Sequence, residues 1–190
     1  MLAQQVRITE KQSNDPRLLS PDDASLRLRI AGVVPESTVD GPGYRYVVFT
    51  QGCPHHCEGC HNPETHDFSA GYLTSVSRLL TLMQRNPLLA GVTISGGEPF
   101  CQPDACAALA RGAREAELHV IVYTGYKLEA LQAMENEAVQ TLLSAANWLV
   151  DGRFVQEKRT RLRRFVGSAN QRIIDLPETF SSGKIQLVEE

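Results

Sequence analysis

Short apolar strands alternate with helical segments through most of this chain, and this alternation constrains the fold more than any other feature. We predict strands at Leu26–Val34, Tyr44–Thr50, Gly91–Ser95, Leu118–Tyr123 and Asn147–Val150. Helical apolar spacing separates several of them, at Thr74–Asn86 with Thr74 as the N-cap, at Pro103–Glu115 and at Lys127–Ser144. Strands that alternate with helices in this way predict a parallel sheet covered by helices.

The chain is short for a closed barrel. A complete (β/α)8 barrel usually needs about 250 residues, and this chain has 190. We therefore expect an α/β fold that forms a partial, open (β/α) barrel, in which ligands gather at the carboxyl ends of the strands. Four segments directly follow predicted strands and should converge on that edge: a cysteine-rich loop, the turn GGEP, the segment YTGY and Asp151–Gly152.

Composition limits the domain count and the classes of partner. The chain is 42% apolar and 22% charged with a net charge of −3, which predicts one globular domain and argues against a basic nucleic-acid binder. No apolar run approaches the roughly 18 residues of a membrane-spanning helix, and the N-terminus lacks a signal peptide's apolar stretch, so we expect a cytoplasmic protein. Residues 1–25 are polar and predict an extension, followed by a single domain at 26–190, whose mixed tail ends with the strand-like segment Lys184–Val188.

Three of the five cysteines, Cys53, Cys57 and Cys60, lie within eight residues. In a cytoplasmic chain, clustered cysteines are more often metal ligands or catalytic groups than disulfide partners. Soft thiolates select zinc, copper(I) or iron–sulfur clusters. A four-iron cluster usually takes four cysteine ligands, so three cysteines would leave one iron open to a small molecule.

Other roles for the cysteines remain open from the residues alone. A structural zinc site could recruit His55, His56 or His61, although zinc modules usually take two ligands from each of two chain segments. Cys101 is a weaker candidate for a fourth ligand. Burial as small apolar side chains is the simpler expectation for Cys101 and Cys106.

The turn Gly96-Gly97-Glu98-Pro99 is the second candidate site. Two glycines allow a ligand to approach the backbone closely, and the Glu98 carboxylate can accept hydrogen bonds from an ammonium group. By itself this sequence is also an ordinary turn. Its position after a strand, beyond the cysteine loop, favours the functional interpretation.

The spacing Cys53-x3-Cys57-x2-Cys60, together with GGEP, resembles the radical S-adenosylmethionine (SAM) enzymes. The resemblance implies that the three cysteines hold a [4Fe-4S] cluster and that Gly96, Gly97 and Glu98 contact the methionine amino group of SAM. Gly59 stands where the superfamily often has an aromatic residue near adenine. Gly59 and Cys60 are therefore expected beside the cofactor, with His61 as the candidate adenine contact.

A closer resemblance is to the activases of glycyl radical enzymes, and within them to the activators of the anaerobic ribonucleoside-triphosphate reductase. It rests on four further segments, Asp40–Gly43, Val122–Lys127, Leu149–Phe154 and Gly167–Gln171. One departure is Glu98, where many of these reductase activators carry aspartate. The match spans most of the chain but leaves out the N-terminal extension.

The resemblance implies an oxidoreductase that reductively cleaves SAM to methionine and a 5′-deoxyadenosyl radical. That radical would take a hydrogen from one backbone glycine of a partner, the anaerobic ribonucleotide reductase, with flavodoxin or ferredoxin as electron donor. No catalytic side chain is expected beyond the cluster ligands. Alternatives are an activase of a formate-lyase type enzyme, a radical SAM synthase with a small-molecule substrate, and a zinc-binding interaction module. The basic run Lys158–Arg164 is either a partner-docking surface or a solvated face.

Overall fold

The computed structural model describes residues 26–189, which form one eight-stranded sheet and five α-helices. The strands are β1 (Arg27–Ser37), β2 (Tyr44–Thr50), β3 (Tyr72–Ser75), β4 (Leu89–Gly96), β5 (His119–Thr124), β6 (Trp148–Asp151), β7 (Arg172–Asp175) and β8 (Gln186–Leu187). The helices are α1 (Val76–Met83), α2 (Pro103–Glu115), α3 (Leu128–Gln132), α4 (Glu137–Ala145) and α5 (Leu176–Ser182).

The sheet is open, with β3 and β8 as its two edges and the order β3-β1-β2-β4-β5-β6-β7-β8. The prediction of an α/β fold with a partial, open barrel is confirmed. The predicted extension at residues 1–25 lies outside the described residues, and the assignment of 26–190 to a single domain stays a prediction.

Only the centre of the sheet is parallel. Strands β2, β4, β5 and β6 run in one direction, whereas β1, β3, β7 and β8 pair antiparallel with their neighbours. The expectation of a parallel sheet is therefore wrong for the outer strands. For β1 the reason is the connection: residues 38–43 make a short turn into β2, and a parallel pair needs a crossover of a dozen or more residues.

The two faces of the sheet differ in what covers them. One face packs against the helices through the main core, which includes Val48, Ile94, Leu109, Val122 and Leu142. Along each strand, successive side chains point to opposite faces of the sheet. Packing of the helices on one face therefore holds the strands in place, and the other face is available to the site.

The other face, called the inner face below, is partly filled by a buried arginine. Arg45 donates to the Thr93 hydroxyl at 2.6 Å, to the His119 carbonyl at 2.8 Å and to the Val92 carbonyl. Burial lowers the pKa of Arg45 to about 10. Gly41, at φ +140, packs against this side chain, so a Cβ there would lie 2.7 Å from Arg45 Nε. The turn before β2 is thus built around Arg45.

Several predicted boundaries are wrong for local reasons. Thr74 belongs to β3, where it pairs with Leu28, and the N-cap of α1 is Ser75, whose hydroxyl accepts from the Arg78 N–H. The predicted helix Lys127–Ser144 is two helices, because the Asn136 side chain accepts from the Ala138 and Val139 N–H groups and starts α4 anew.

The tail is more regular than its mixed composition indicates. Strand β7 and helix α5 were not predicted, and the strand-like segment Lys184–Val188 contributes only the two residues of β8. Strand β7 is short, and its position is set by antiparallel pairing with β6, from Trp148↔Asp175 to Asp151↔Arg172. Within residues 26–189, none of the helices combines the length and apolar character needed to cross a bilayer.

His119, at the start of β5, predicts a pH dependence of stability. Its ring lies 4.8 Å from the Trp148 ring, and burial followed by the nearby Arg45 charge lowers the pKa of His119 from 6.5 to about 4. Between these values the unfolded chain binds the additional proton, so the free energy of unfolding falls as the pH is lowered through that window.

The variant His119→Phe keeps an aromatic contact with Trp148 and removes the titration. We expect the free energy of unfolding of the wild type, relative to this variant, to decrease as the pH falls from 6.5 towards about 4. Urea denaturation at several pH values measures the difference. A difference that does not change with pH contradicts the account of His119.

Candidate metal centre and cofactor pocket

A pocket of about 310 Å³ lies at the carboxyl ends of the parallel strands and opens to solvent. The loops after β2, β4, β5 and β6 all contribute to its wall, so the predicted convergence of these four segments is confirmed. Among the residues that line it are Cys53, Cys57, Cys60, His61, Gly96, Gly97, Thr124, Gly125, Gly152 and Phe154. Ligand sites at this edge are typical of α/β sheets.

The cysteine loop is held by hydrogen bonds to the short segment that follows it. The Gly52 N–H donates to the Thr65 carbonyl at 2.8 Å, and the Cys53 N–H donates to the His66 carbonyl at 3.1 Å. The Gln51 side chain donates to the carbonyl of Asp67 at 2.7 Å. These bonds fix the base of the loop, from which the three cysteines project towards the pocket.

All three cysteines of the loop are free thiols on the wall of the same pocket. Cys53 is buried, whereas Cys57 and Cys60 are half-buried. Burial raises the pKa of Cys53 and of Cys60, so these thiols keep their protons at neutral pH until a metal displaces them. Thiolates are the ligands that iron–sulfur clusters require, and three of them face one cavity.

Within residues 26–189, no three His, Cys, Asp or Glu side chains are already gathered closely enough to hold a single metal ion. Cysteines that each bind a different iron of a cubic cluster stand farther apart than the ligands of one ion. Cys53, Cys57 and Cys60 line the same pocket, and three thiols on one cavity wall are the kind of donor set that an iron–sulfur cluster takes.

The other cysteines lie away from the lining. Cys101 belongs to the 3-10 turn Pro99–Cys101, and Cys106 is fully buried in α2. Burial raises the pKa of Cys101 to about 11 and that of Cys106 also above its usual range. Cys106 matches the expected role as a small buried side chain, whereas Cys101 is half-buried.

The turn at the end of β4 packs directly on the start of the cysteine loop. The Gly97 N–H donates to the Thr50 carbonyl, and the Glu98 N–H donates to the Gly52 carbonyl, both at 2.8 Å. A Cβ on Gly97 would come within 2.9 Å of the Gly52 carbonyl carbon and closer still to its oxygen. The glycines therefore have a packing role in addition to exposing backbone to the pocket.

The Glu98 carboxylate connects three of the four loops. It is fully buried, and the donors to it are the Thr124 hydroxyl at 3.0 Å, the Gly125 N–H at 2.9 Å, the Phe100 N–H at 3.1 Å and the ring of His55, whose Nε2 lies 2.7 Å away. His55 is in the cysteine loop, and Thr124 and Gly125 end β5. Glu98 thus lies behind the wall that Gly96 and Gly97 form, and a direct contact with a ligand requires exchange of one of these bonds.

His61 and Phe154 form an aromatic part of the pocket wall, with ring centroids 4.9 Å apart. Burial, followed by the Arg159 charge, lowers the pKa of His61, which keeps the imidazole neutral at physiological pH. A neutral flat ring beside a phenyl ring suits a heteroaromatic base. Gly59, at φ +69, packs against Gln156 and Phe154, and a Cβ there would collide with the Gln156 side chain.

Sequence reasoning missed four residues of this site, namely His55, Thr124, Gly125 and Phe154. His55 was considered only as a zinc ligand. The other three fall in the segments Val122–Lys127 and Leu149–Phe154, which were recognised as motifs without a role for each residue. Strand order is needed to see that the end of β5 lies beside the turn after β4.

Comparison with known proteins identifies the family. A family model described as a 4Fe-4S single cluster domain matches residues 39–174. The anaerobic ribonucleoside-triphosphate reductase-activating protein of Salmonella typhimurium is 32% identical over 151 residues, which cover 72% of this chain and 92% of that protein. The chain belongs to the family of anaerobic ribonucleoside-triphosphate reductase-activating proteins. The predicted radical SAM activase family is confirmed, and with it the [4Fe-4S] cluster and SAM as cofactors.

Two further members of this group of relatives show how widely the similarity extends. The reductase-activating protein of Enterobacteria phage T4 is 30% identical over 148 residues, covering 74% of this chain and 90% of that protein. The pyruvate formate-lyase-activating enzyme of Clostridium pasteurianum is 38% identical over 104 residues, covering 52% of this chain and 44% of that enzyme. The solved structure of QueE from Escherichia coli is a distant neighbour, with 18% identity and a TM-score of 0.41 over 66% of this chain and 70% of that chain.

The packing of Gly97 predicts that a single methyl group disturbs this site. Because a Cβ would collide with the Gly52 carbonyl, we expect Gly97→Ala to lower the free energy of unfolding by about 2 kcal/mol. The matched control is Gly32→Ala in β1, where a Cβ meets nothing within 4 Å, and its effect should stay within about 0.5 kcal/mol. Anaerobic urea denaturation and iron content measure both variants. Equal behaviour of the two contradicts the packing role.

The buried pair of His55 and Glu98 predicts a second effect. Removing the ring in His55→Ala leaves the Glu98 carboxylate with one donor fewer, which costs about 1–3 kcal/mol of stability. His55→Gln, which offers an amide N–H, should recover part of that loss. The control is His56→Asn, because His56 is exposed at φ +47, a conformation that asparagine adopts readily. A His55→Ala loss no larger than that of His56→Asn contradicts the role of the pair.

Proposed function

We propose that this protein activates an anaerobic ribonucleoside-triphosphate reductase by generating a glycyl radical on it through reductive cleavage of SAM. The observation that carries the proposal is the convergence of Cys53, Cys57 and Cys60 with Gly96 and Gly97 on one pocket, in a chain of this family. The pocket opens to solvent, which suits a substrate that is a segment of another protein.

Each part of the pocket has a proposed role. Cys53, Cys57 and Cys60 hold the cluster by three of its irons, and Gly59 allows the tight loop around it. Gly96 and Gly97 present backbone to the amino acid part of SAM, while Glu98 secures the wall behind them and becomes a ligand contact only by exchanging a protein donor. His61, with Phe154 beside it, receives the adenine ring.

The cluster, when bound, supplies the one-electron reduction that cleaves SAM and thereby makes hydrogen abstraction from a glycine accessible. The chain's own residues position the reacting groups. Positioning of this kind is the usual contribution of a protein to cofactor chemistry. No side chain in the pocket is required as a general acid or base, in line with the absence of a proton transfer from the reaction.

The proposal also names the partner enzyme and the electron donor. The anaerobic ribonucleotide reductase is the preferred partner because the reductase activators align over nine-tenths of their own length, whereas the formate-lyase activase aligns over 44% of its length. A low-potential protein such as flavodoxin or ferredoxin supplies the electron. The cytoplasm, where such donors and the reductase reside, is the proposed location.

A direct test uses the purified, anaerobically reconstituted protein with SAM, dithionite and an anaerobic ribonucleotide reductase. We expect a glycyl doublet in the electron paramagnetic resonance spectrum of the reductase. Cys57→Ala should lose the cluster and the doublet, because it removes one of three ligands. Cys101→Ala, a cysteine outside the pocket lining, should keep both. Absence of the doublet with a competent reductase contradicts the proposed function, and loss of the cluster in Cys101→Ala contradicts the three-cysteine ligand set.

A further inference from the structure

The segment 153–171, which joins β6 to β7, is called the basic arm here because of its unusual charge. It holds six of the chain's 19 basic residues and one of its 22 acidic residues, a net charge of +5. The remaining residues, with 13 basic and 21 acidic, therefore carry −8. The basic arm is thus a segment of net positive charge in a chain that is otherwise net negative.

The basic arm forms part of the rim of the pocket. Arg153 and Phe154 at its beginning, and Gly167 and Gln171 near its end, line the cavity. The residues between these two ends make an excursion away from the cavity and return to it. The charged part of the arm is therefore attached to the site at both of its ends.

Hydrogen bonds across the excursion hold its two sides together. The Ala169 N–H donates to the Lys158 carbonyl at 2.8 Å, the Thr160 N–H donates to the Gly167 carbonyl at 3.2 Å, and Arg159 forms a β-bridge with Ser168. A closed pair of chain segments of this kind presents its outer side chains in a defined direction.

The base of the arm is fixed to the inner face of the sheet. The Tyr123 hydroxyl donates to the Phe165 carbonyl at 2.7 Å. Phe165 and Val166 pack against the inner cluster of Ile121, Val150 and Ile173. The arm is thus an anchored part of the fold whose tip faces solvent.

The outer surface of the arm combines cations with one apolar residue. Lys158, Arg159, Arg161 and Arg164 are exposed, and the side chain of Leu162 at the tip is 97% exposed. A single exposed apolar residue is common on protein surfaces, so the distinctive feature here is the group of cations that flanks Leu162 in the sequence. This surface suits a contact with another protein, in which the cations attract an oppositely charged partner and Leu162 becomes buried on binding.

The chemistry of the site requires that a partner cover this rim. Transfer of a hydrogen atom needs van der Waals contact between the reacting atoms, so the partner's glycine segment must enter the pocket and neighbouring partner surface must lie over its mouth. The arm, whose two ends line the same cavity, then lies next to the interface, where its charge selects the opposite charge on the partner.

We propose that the basic arm docks an acidic surface of the partner glycyl radical enzyme next to its radical-bearing glycine segment. This inference rests on the proposed function and adds the chemistry of the contact. Nucleic acid is a poorer match, since the net charge of −8 on the rest of the chain would repel a phosphate backbone.

The test compares two double charge reversals in the full-length, reconstituted protein. Lys158→Glu/Arg161→Glu changes the outer face of the arm. Arg85→Glu/Lys184→Glu changes two exposed residues outside the arm by the same charge and is the matched control. Arg85 lies in the turn before β4, at the amino end of the parallel strands and so opposite the pocket.

Three readouts are taken, with dithionite as the reductant so that no electron-donor protein is needed. They are SAM cleavage without partner, glycyl radical formation on the reductase at sub-saturating concentration, and the dependence of that rate on NaCl. The arm variant should form the radical at least about tenfold more slowly than wild type at low salt. Its rate should depend less on salt, and its partner-free SAM cleavage should stay within about twofold. The control should match the wild type in all three.

Equal radical formation by the arm variant and the control overturns the inference. If the arm variant is normal with dithionite but slow with flavodoxin or ferredoxin, the arm docks the electron donor and the inference is also overturned. If the wild-type protein cleaves SAM but never yields a glycyl radical, the proposed function fails and the inference fails with it. The first two outcomes leave the proposed function intact, so the two kinds of failure are distinguishable.

Discussion

The buried carboxylate of Glu98 is the interaction on which the geometry of the site depends. It accepts from His55 of the cysteine loop, from Phe100 of its own turn, and from Thr124 and Gly125 at the end of β5. Loops at the end of a sheet are otherwise its most mobile parts. Losing a hydrogen bond to a fully buried carboxylate costs free energy. Each of these donors is therefore held in position by its hydrogen bond to Glu98.

The division of the sheet into two unlike faces explains where the site can be. Helices cover one face with a large apolar core, while the inner face carries Arg45 and only a small apolar cluster. The basic arm closes over that small cluster and reaches the pocket rim. The sheet is open at both of its edges and the pocket opens to solvent, and an activase whose substrate is a protein segment needs such an opening.

Much of the fold and of the pocket was predictable, because it depends on local patterns. Apolar strands such as Tyr44–Thr50 and the spacing of Cys53, Cys57 and Cys60 are visible in the sequence, and strand ends indicate the ligand edge. The outer strands were not predictable in the same way. Strand β7 has four residues, and its direction is set by pairing with β6, which no local pattern records. Thr74 and Ser75 are both good caps, and pairing of Thr74 with Leu28 decides between them.

The side-chain contacts of the site were likewise not predictable from local sequence patterns. The glycines of the GGEP turn were expected to admit a ligand, and in the structure they also pack against Phe49 of β2 and Gly52 of the cysteine loop. The contact of Glu98 with SAM stays a prediction, and in the structure its carboxylate accepts from protein donors that come from distant parts of the chain. Such partners are brought together by strand order, so a single sequence cannot name them.

The central claim is that three cysteines hold a four-iron cluster and leave one iron free for SAM. Mössbauer spectroscopy of the anaerobic protein reconstituted with 57Fe, recorded with and without SAM, tests it most directly. The account predicts that SAM changes the isomer shift and quadrupole splitting of one iron in four, while the others keep the parameters of cysteine-bound sites. Four irons that all remain unchanged on addition of SAM, or a colourless protein that binds zinc in place of iron, would contradict it.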